Sequence, residues 1–405
     1  MNGRKYRIAL YSPGMVGFGH IRRNASIAQA LRRSALDPVI VMIAEARQAG
    51  ALPMPEGVDS VTLPALCKEA EGWVKPRFLD VSEEDLIELR RRVIRSAIKA
   101  FEPDVLIVDH LPLGAAGELA RTLEHLRRHH TTRCVLGLRD VLQDAKTVNR
   151  RWREQASANA VRDYYDAVWI YGDPVVYDSV QEYGLLDHVS EKVRYTGYLD
   201  QRLRLEFAAA QGAQLVSAVP QGRLALCTVG GGQDGGALAE AFLQAELPEG
   251  MTGVLVTGPY MAEETRRRLQ RLGAKRAQIK VLEFVPESAP LIARADRVIA
   301  MGGYNTMCEV LSFGKHALIV PRVKPKPEQW IRAQRMSELG VVDLLHPRDL
   351  SPAALSRWLA RDLGPPPRGR SRIDFGGLTR IPRLVAELLE EPAGAVQEGL
   401  GVAVG

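Results

Sequence analysis

The 405-residue sequence contains only four cysteines, and they lie far apart in the chain, at Cys67, Cys134, Cys227 and Cys308. None of them belongs to a Cys-X-X-Cys pair, so the sequence indicates neither a zinc site nor a disulfide framework. Free thiols are typical of a reducing compartment, and we therefore expect a cytoplasmic protein.

Long apolar runs are also lacking. No stretch approaches the roughly 20 consecutive apolar residues that a transmembrane helix needs. The first residues, MNGRKYRIALYSPG, pass from a few basic residues into a short strand and a turn, without the apolar core and cleavage site of a secretory signal. We expect no membrane-spanning segment, while peripheral contact with a membrane surface stays compatible with the sequence.

Aromatic residues make up only 6% of the chain, and no nucleic-acid motif interleaves them with basic residues. The net charge of +6 comes largely from arginines in helical stretches such as ELRRRVIRSAIKAF and EETRRRLQRLGAKR. Such arginines are typical of a solvated helix face, and a surface for phosphates, acidic lipids or nucleic acid is the alternative. We expect no nucleic-acid partner.

Short apolar runs alternate with amphipathic helical stretches along both halves of the chain. The runs include YRIALYS, DVLIVD and AVWIYGD in the first half, and RLALCTVG, RVIAMGG and HALIVP in the second. Because these runs are apolar throughout, both faces of each sheet must be covered by helices, as in parallel sheets. The predicted fold class is α/β, with two doubly wound Rossmann-like domains that face an interdomain cleft.

The predicted boundaries follow from turn residues and changes in composition. We assign residues 1–197 to an N-terminal domain, 198–221 to a linker, 222–365 to a C-terminal domain and 366–391 to a C-terminal helical segment. Residues 392–405 are rich in Gly and Ala and are expected to form a disordered tail.

The first candidate motif, YSPGMVGFGHIRRN, is a glycine-rich turn between the opening strand and an amphipathic helix. It matches neither the GxGxxG dinucleotide fingerprint nor a phosphate-binding P-loop. His20 lies at the start of the helix, where the positive end of the helix dipole keeps an imidazole neutral. A neutral imidazole in a cleft can accept a proton, so His20 is a candidate general base, and a helix cap is the alternative.

The second motif, DVLIVDHLPLGAAGEL, places Asp109 at the carboxyl end of a buried strand in the same domain. That end of a doubly wound sheet lies beside the turn that bears His20. Asp109 can therefore hold the imidazole tautomer, as a triad carboxylate does, and a helix N-cap is the alternative. We expect only a structural role for the neighbouring His110.

A third motif, LALCTVGGGQDGGALAEAF, contains five glycines among the seven residues 230–236 between a strand and a helix. Successive backbone N–H groups followed by a helix N-terminus can hold a diphosphate. We expect an anion site formed by Gly230, Gly231, Gly232 and Gln233 rather than a plain flexible turn.

The fourth motif, AMGGYNTMCEVLSFGKHALIVPR, has a Gly-Gly turn after a strand and a single glutamate on the helix that follows. We expect Asn305 or Thr306 to start this helix and Glu309 to lie about one turn further on, pointing toward the cleft. A carboxylate can accept hydrogen bonds from two vicinal hydroxyls, as on ribose, and a solvated glutamate is the alternative.

The next loop, PRVKPKPEQW, places Arg322, Lys324 and Lys326 just before a helix that begins at Glu328 and Gln329. These cations can face a phosphate or an acidic sugar, or they can simply face solvent.

Residues 221–345 resemble the C-terminal, nucleotide-sugar-binding domain of glycosyltransferase family 28, which includes the peptidoglycan N-acetylglucosaminyltransferases, and the related family 1 enzymes. The resemblance runs through TVGGGQDG, VLEFVPESAPLIARADRVIAMGGYNTMCEVLSFGKHALIVP and EQWIRAQRMSELG. The N-terminal half is similar more loosely, through GMVGFGH and PDVLIVDH. A closer similarity is to a group of predicted bacterial glycosyltransferases without assigned substrates.

The resemblance implies the GT-B fold, with the donor held mainly by the second domain and the acceptor mainly by the first. By carry-over, Glu309 would bind the ribose, His20 would be the base and Gln329 would contact the donor sugar. The other implied donor contacts are Phe284 and Val285 at the base, Gly302 and Gly303 near the phosphates, the turn Gly230–Gln233, and Asn305 and Thr306. Gly17, Phe18 and Gly19 would form the acceptor loop.

The expected function is therefore inverting transfer of a sugar from a nucleotide-diphosphate donor, UDP being favoured, to a small-molecule or lipid-linked acceptor. We expect no cofactor and no metal, because no DxD-type pair lies beside the donor loops. Two further functions stay open, a nucleotide-sugar epimerase or hydrolase of the same fold and a non-catalytic sugar-nucleotide-binding subunit. The loop GMVGFGH and the segment KPKPE depart from the family pattern, which leaves the acceptor and the donor sugar open.

Overall fold

The computed structural model describes residues 4–14, 19–45, 54–68, 74–129, 132–184, 187–207, 219, 222–365, 367 and 371–390. The strands of the first half are β1 (Arg7–Ser12), β2 (Val39–Ala44), β3 (Val58–Thr62), β4 (Leu66–Lys68), β5 (Val74–Pro76), β6 (Val105–Asp109), β7 (Arg133–Arg139), β8 (Ala167–Tyr171) and β9 (Val193–Tyr195). Its α-helices are α1 (Gly19–Arg32), α2 (Glu83–Phe101), α3 (Ala120–His129), α4 (Ala145–Glu154), α5 (Ser157–Tyr164), α6 (Ser179–Glu182) and α7 (Arg204–Phe207).

The strands of the second half are β10 (Arg223–Thr228), β11 (Met251–Val256), β12 (Ile279–Leu282), β13 (Arg297–Ala300), β14 (His316–Ile319) and β15 (Asp343–Leu344). Its α-helices are α8 (Gly236–Gln244), α9 (Glu263–Gly273), α10 (Ala289–Arg294), α11 (Tyr304–Ser312), α12 (Glu328–Glu338), α13 (Pro352–Ala360) and α14 (Gly377–Glu390). Short 3-10 turns lie at Ala115–Gly117, Asp187–Lys192, Gln201–Leu203 and Pro347–Asp349.

The first sheet has seven parallel strands in the order β3-β2-β1-β6-β7-β8-β9. Its central strands β6 and β8 are buried along their whole length, as their continuous apolar sequences predict. The strand order reverses between β1 and β6, and at such a switch point the loops diverge and leave a crevice. Strands β3 and β9 and the small antiparallel hairpin of β4 and β5 are elements that were not predicted from the sequence.

The second sheet has six parallel strands in the order β12-β11-β10-β13-β14-β15. Its strand order reverses between β10 and β13, so it repeats the doubly wound pattern with its own crevice. The predicted α/β class with two doubly wound, Rossmann-like domains is confirmed.

The segment between the two sheets is partly helical and packs against both. Arg204 in α7 is almost fully buried and pairs with Glu287 of the second half, and its Nη1 also donates to Ser26 Oγ of α1 at 3.2 Å. This segment therefore contributes contacts to the boundary between the sheets.

The C-terminal helix α14 returns to the first half of the chain and packs on α1. An isolated bridge joins Leu199 to Gly376 just before the helix, and the Tyr198 amide donates to the Asp374 carbonyl at 2.8 Å. The side chain of Ile381 in α14 is fully buried. Helix α14 thus covers part of the first domain although it follows the second in sequence.

A fully buried ion pair joins the two halves. Arg332 of α12 contacts Asp140, the residue after β7, at 2.6 Å, and neither side chain is exposed to solvent. Arg332 also donates to the Gly302 carbonyl at 3.0 Å, and the Tyr198 hydroxyl donates to Asp140 at 2.7 Å. Because both charges are so fully hydrogen-bonded, burying them is tolerated, but removing either one would leave the other uncompensated.

Within the described residues, no helix combines the length and the apolar character needed to cross a bilayer.

Replacing Arg332 with alanine should lower the free energy of unfolding by roughly 3–5 kcal/mol, because Asp140 would stay buried without its counter-charge. Urea denaturation followed by circular dichroism measures this. The matched control is Arg335→Ala on the same helix, where a half-exposed guanidinium pairs with Glu182 and the expected loss is roughly 0–1 kcal/mol. Equal losses for the two variants would show that the buried pair does not hold the halves together.

Candidate functional site

A cleft with a cavity of about 300 Å³ lies between the carboxyl ends of the two sheets. Its walls combine residues at or after the ends of β1 and β7 of the first sheet with residues at or after the ends of β10, β11, β12, β13 and β14 of the second. First-domain residues in the wall are Gly19, His20, Arg22, Arg23 and Arg139. Second-domain residues in the wall are 228–234, 256, 258–260, 284, 285, 288, 301, 303–306, 309, 322 and 329. The cavity is large enough to fall in the range of small-molecule sites.

His20 and Asp109 meet at the switch point of the first sheet. His20 is the second residue of α1 and lines the cleft, and its Nδ1 lies 2.6 Å from Asp109 Oδ2. Asp109 ends β6 and is fully buried behind the imidazole. The predicted pairing of these two residues is therefore a hydrogen-bond contact in the structure.

The carboxylate of Asp109 also accepts from Arg23, one turn further along α1. Arg23 Nη2 lies 2.6 Å from Asp109 Oδ2 and 2.9 Å from His20 Nδ1. Nδ1 cannot donate to a carboxylate and accept from a guanidinium at the same time. We assign its proton to the bond with Asp109, because the contact with the anion is shorter, and the lone pair of the neutral ring then lies on Nε2.

The pKa values at this pair fit a neutral imidazole beside an ionised carboxylate. Burial lowers the pKa of His20 below its usual value of 6.5, and the attraction of Asp109 only partly opposes this. Burial alone would raise the pKa of Asp109, but the positive charge of Arg23 and the hydrogen bonds from Arg23 and His20 outweigh it and hold that pKa far below its usual range. His20 is therefore unprotonated at neutral pH and able to accept a proton.

The glycine turn after β10 lies across the cleft from His20. Gly230, Gly231, Gly232 and Gln233 all line the cavity, as the predicted anion site requires. Gly232 has a φ of +92°, and a Cβ there would lie 2.3 Å from the Thr257 carbonyl, so no other residue fits. The turn leads into α8 at Gly236, whose first N–H groups have no intrahelical partners.

Glu309 lies on the cleft side of α11 and is 4% exposed. Its Oε1 accepts from Ser288 Oγ at 2.8 Å, which leaves further lone pairs for a ligand. Burial raises the pKa of Glu309 above its usual value of 4.5, and the nearby Arg22 charge partly offsets this. A buried carboxylate in the cavity wall rules out the solvated glutamate that the sequence left open.

Phe284 and Val285, the predicted base contacts, also lie in the cavity wall. The Val285 carbonyl already accepts from Arg22 Nη2 at 3.1 Å, and Arg22 Nη1 donates to Ser288 Oγ at 3.2 Å. Arg22 belongs to α1, so a first-domain side chain crosses the cleft beside the predicted base and ribose positions. Arg22 was not predicted from the sequence as a site residue.

Helix α11 begins at Tyr304 with Gly303 as its N-cap, so the expected start at Asn305 or Thr306 was wrong by one or two residues. Asn305 instead uses its side-chain amide to donate to the Gly19 carbonyl of α1 at 2.9 Å, across the boundary between the domains. Gly303, Asn305 and Thr306 line the cavity.

Gly302 lies behind the cavity wall. A Cβ on it would approach the Gln329 carbonyl to 2.9 Å, so its role is close packing of the turn against α12. Gln329 itself lines the cavity, and its Oε1 accepts from the Arg322 amide at 3.1 Å.

The predicted cationic loop is only partly at the cleft. Arg322 lines the cavity, but its guanidinium already binds two carboxylates, Asp234 at 2.7 Å and Glu328. The structure does not bring Lys324 or Lys326 into the cavity wall. Arg322 is therefore a bridge between the glycine turn and α12.

Two predicted acceptor-loop residues, Gly17 and Phe18, lie outside the described residues, and Gly19 lines the cleft. The predicted tail from residue 392 is likewise outside them. Among the described residues, no group of three or more His, Cys, Asp or Glu side chains is arranged to hold a metal ion.

Several cleft arginines were not predicted from the sequence. Arg22 and Arg23 lie two and three residues after His20 in HIRRN, and a pair of arginines beside a candidate base was the available signal. The guanidinium groups of Arg23 and Arg332 lie 5.5 and 5.8 Å from the centre of the Tyr304 ring. Nothing in the local sequence signals that arrangement, because its members come from both domains.

The second half of the chain matches a known protein family. Residues 225–372 match the glycosyltransferase family 28 C-terminal domain. Two relatives share the name UDP-N-acetylglucosamine--N-acetylmuramyl-(pentapeptide) pyrophosphoryl-undecaprenol N-acetylglucosamine transferase. The one from Haemophilus influenzae (strain PittGG) is 32% identical over 90 residues, 22% of this chain and 26% of the relative. The one from Burkholderia pseudomallei (strain 668) is 28% identical over 215 residues, 49% of this chain and 56% of the relative. The chain thus spans about a quarter to a half of the length of these relatives.

Solved structures match over nearly the whole chain. A glycotransferase of kitacinnamycin superposes with a TM-score of 0.62 at 16% identity, covering 95% of this chain and 100% of the other. A UDP-GlcNAc 2-epimerase from Methanocaldococcus jannaschii superposes with a TM-score of 0.61 at 13% identity, covering 94% and 99%. At such low identity these matches establish the fold alone. The resemblance expected from the sequence is confirmed: this chain has the GT-B fold, and its second domain matches the C-terminal domain of glycosyltransferase family 28.

Proposed function

We propose that this protein is an inverting glycosyltransferase that takes a sugar from a nucleotide-diphosphate donor. The observation that carries the proposal is the arrangement of the cleft. A neutral imidazole held by a buried carboxylate lines one wall, and a glycine turn and the buried Glu309 line the other. A general base facing an anion-binding turn across a small-molecule cavity is what sugar transfer from a nucleotide donor needs.

The reaction follows from these positions. His20 Nε2 accepts the proton of an acceptor hydroxyl, and the oxygen attacks the anomeric carbon of the donor from the side opposite the diphosphate. The bond between that carbon and the phosphate oxygen breaks, and its electron pair leaves with the nucleoside diphosphate. Because attack and departure occur on opposite faces, the configuration inverts.

The donor would lie on the second domain. The N–H groups of the turn 230–233 and the start of α8 would stabilise the negative charge of the leaving diphosphate. The free lone pairs of Glu309 would accept from the ribose hydroxyls, with Phe284 and Val285 beside the base. On this proposal the amides and arginines of the cleft supply the electrostatic stabilisation, and no metal is required.

UDP is the first donor nucleotide to test, because the names of both relatives specify UDP-N-acetylglucosamine. The same names specify a lipid-linked acceptor, so lipid-linked and small-molecule acceptors both belong in the screen.

Donor recognition is tested with Glu309→Gln, which keeps the shape of the side chain and removes its charge. UDP affinity should fall roughly ten- to hundredfold, because hydrogen bonds to a charged group contribute about 1.5–3 kcal/mol. Isothermal titration calorimetry with UDP, dTDP, GDP and ADP measures this and identifies the base. The thermal midpoint of the free protein should not fall, since the substitution removes a charge that burial disfavours.

The control for this test is Glu338→Gln, an exposed carboxylate at the end of α12 that is distant from the cleft wall. It should bind the nucleotide like the wild type. No binding of any of the four nucleotides by the wild type would refute the proposed donor site, and unchanged affinity in Glu309→Gln would refute the role of this carboxylate.

The proposed base is tested with His20→Ala. This substitution should slow sugar transfer from donor to acceptor roughly 10²- to 10⁴-fold and leave UDP affinity nearly unchanged. UDP release during an acceptor screen measures turnover. Since the pKa of His20 is lowered and its neutral form is the active one, kcat/KM of the wild type should fall on acidification, with its half-maximal point below pH 6.5. His129→Ala, on the exposed end of α3, is the control. Retention of activity within a few-fold in His20→Ala would exclude it as the base.

A nucleotide-sugar epimerase is the second candidate function, and the likeness to a UDP-GlcNAc 2-epimerase favours it over a hydrolase or a non-catalytic subunit. Incubation with UDP-N-acetylglucosamine alone separates the two functions. An epimerase isomerises the donor without an acceptor, whereas the proposed transferase leaves it intact.

A further inference from the structure

Three guanidinium groups gather where β6 and β7 end, but only two carboxylates pair with them. Arg23 binds Asp109 and Arg332 binds Asp140, both at 2.6 Å. Arg139 is the last residue of β7, directly before Asp140. Its guanidinium makes no hydrogen bond or ion pair within the part of the chain that the structure describes, and its Nε is buried without an acceptor. One positive charge at this end of the sheet is therefore in excess.

The unpaired state of Arg139 is unfavourable, because burial and two neighbouring cations act against its charge. Burial lowers the pKa of Arg139 to about 10, and Arg23 and Arg332 add to the effect. The side chain nevertheless stays positively charged at neutral pH. A partly buried guanidinium whose Nε is buried without an acceptor costs stability that a bound anion would recover.

The acidic side chains near Arg139 each bind another side chain through at least one carboxylate oxygen. Asp109 accepts hydrogen bonds from Arg23 and His20, and Glu328 of α12 accepts one from Arg322 through Oε1. The second oxygen of Glu328 accepts no hydrogen bond from the described residues, yet no ion pair joins it to Arg139. Arg139 lines the cavity, so an anionic ligand can reach its guanidinium from there.

The position of Arg139 determines beside which wall of the cavity a bound anion would lie. Gly137 pairs with Asp109 in the ladder between β7 and β6, so Arg139 lies at the same sheet edge as His20 and Asp109. The glycine turn and Glu309 belong to the other domain. An anion held by Arg139 thus lies beside the imidazole and on the first-domain wall.

We propose that Arg139 binds an anionic group, a carboxylate or a phosphate, that the acceptor carries close to its reacting hydroxyl. This inference rests on the proposed function, because that function makes the first-domain wall the acceptor side. The other source of the same chemistry is an acidic donor sugar such as glucuronate, and the experiment separates the two.

Such an anion would also act on the base. The charge of Arg139 is one of the influences that lower the pKa of His20. An acceptor anion would neutralise this charge, so its binding would make His20 more basic at the step where the proton is taken. A neutral acceptor would lack this effect.

The test is calorimetric titration of the wild type and Arg139→Gln, each saturated with UDP so that the donor phosphate site is filled. The probes are glycerol 3-phosphate and D-glycerate, which combine hydroxyls with an anion, and glycerol, which has no charge. We expect at least one anion to bind the wild type, glycerol to bind far more weakly, and Arg139→Gln to lose roughly tenfold or more in anion affinity. UDP affinity should be the same in both proteins.

The control is Arg133→Gln at the opposite end of the same strand, where the arginine is similarly buried but pairs with Asp166. It should bind the anions like the wild type. Anion binding that equals glycerol binding, or that survives in Arg139→Gln, overturns the inference. A loss of UDP affinity in Arg139→Gln would assign the residue to the donor diphosphate and overturn it as well.

A parallel titration with UDP-glucuronate and UDP-glucose decides the source of the anion. If Arg139→Gln weakens only UDP-glucuronate and leaves the small anions unaffected, the anion belongs to the donor sugar and the acceptor assignment is wrong. If the wild type binds no UDP, the proposed function fails, and titration of the same anions without UDP still decides whether Arg139 binds them.

Discussion

The geometry of the cleft depends on the buried ion pair of Arg332 and Asp140. Two charges removed from water need each other and several further hydrogen bonds, and here Tyr198 and the Gly302 carbonyl complete the set. The pair joins the end of β7, which bears Arg139, to the turn that starts α11, which bears Glu309. One contact therefore fixes the distance between the first-domain wall of the cavity and the second-domain wall.

A second consequence of this pair concerns charge. Asp140 forms an ion pair with Arg332, and Asp109 forms one with Arg23. The two carboxylates at this sheet edge therefore cannot neutralise every arginine. The imidazole of His20 lies among cations and stays neutral, although it contacts a carboxylate. The same electrostatics that suit a proton acceptor leave the cleft positively charged and suited to anionic ligands.

Features that depend on residues close together in the chain were predictable from the sequence. Continuous apolar runs predicted the strands of both sheets except β3 and β9, and the glycine clusters predicted the turns that line the cavity. The pairing of His20 with Asp109 was also predictable, because a doubly wound topology brings the carboxyl ends of β1 and β6 together. Glu309 stood out because its neighbours in the helix are apolar.

The arginines were not predictable in the same way. Arg23 and Asp109 are 86 residues apart, and Arg332 and Asp140 are 192 apart, so no local pattern records either pair. The stretch ELRRRVIRSAIKAF resembles a solvated face, yet Arg90 within it is fully buried and binds Glu118 and Glu45. Composition identifies such residues as cations, and only the packing of distant elements decides which of them become buried.

The return of α14 to the first domain gives the molecule two covalent connections between its halves, one after β9 and one before Gly377. A single connection would let the halves rotate about any axis through it, whereas two connections side by side restrict opening to rotation about the line that joins them. Helix α14 packs on α1, which carries His20, so this side chain moves as one body with helix α14. Widening of the cleft is thereby coupled to the distance between His20 and the glycine turn of the second domain.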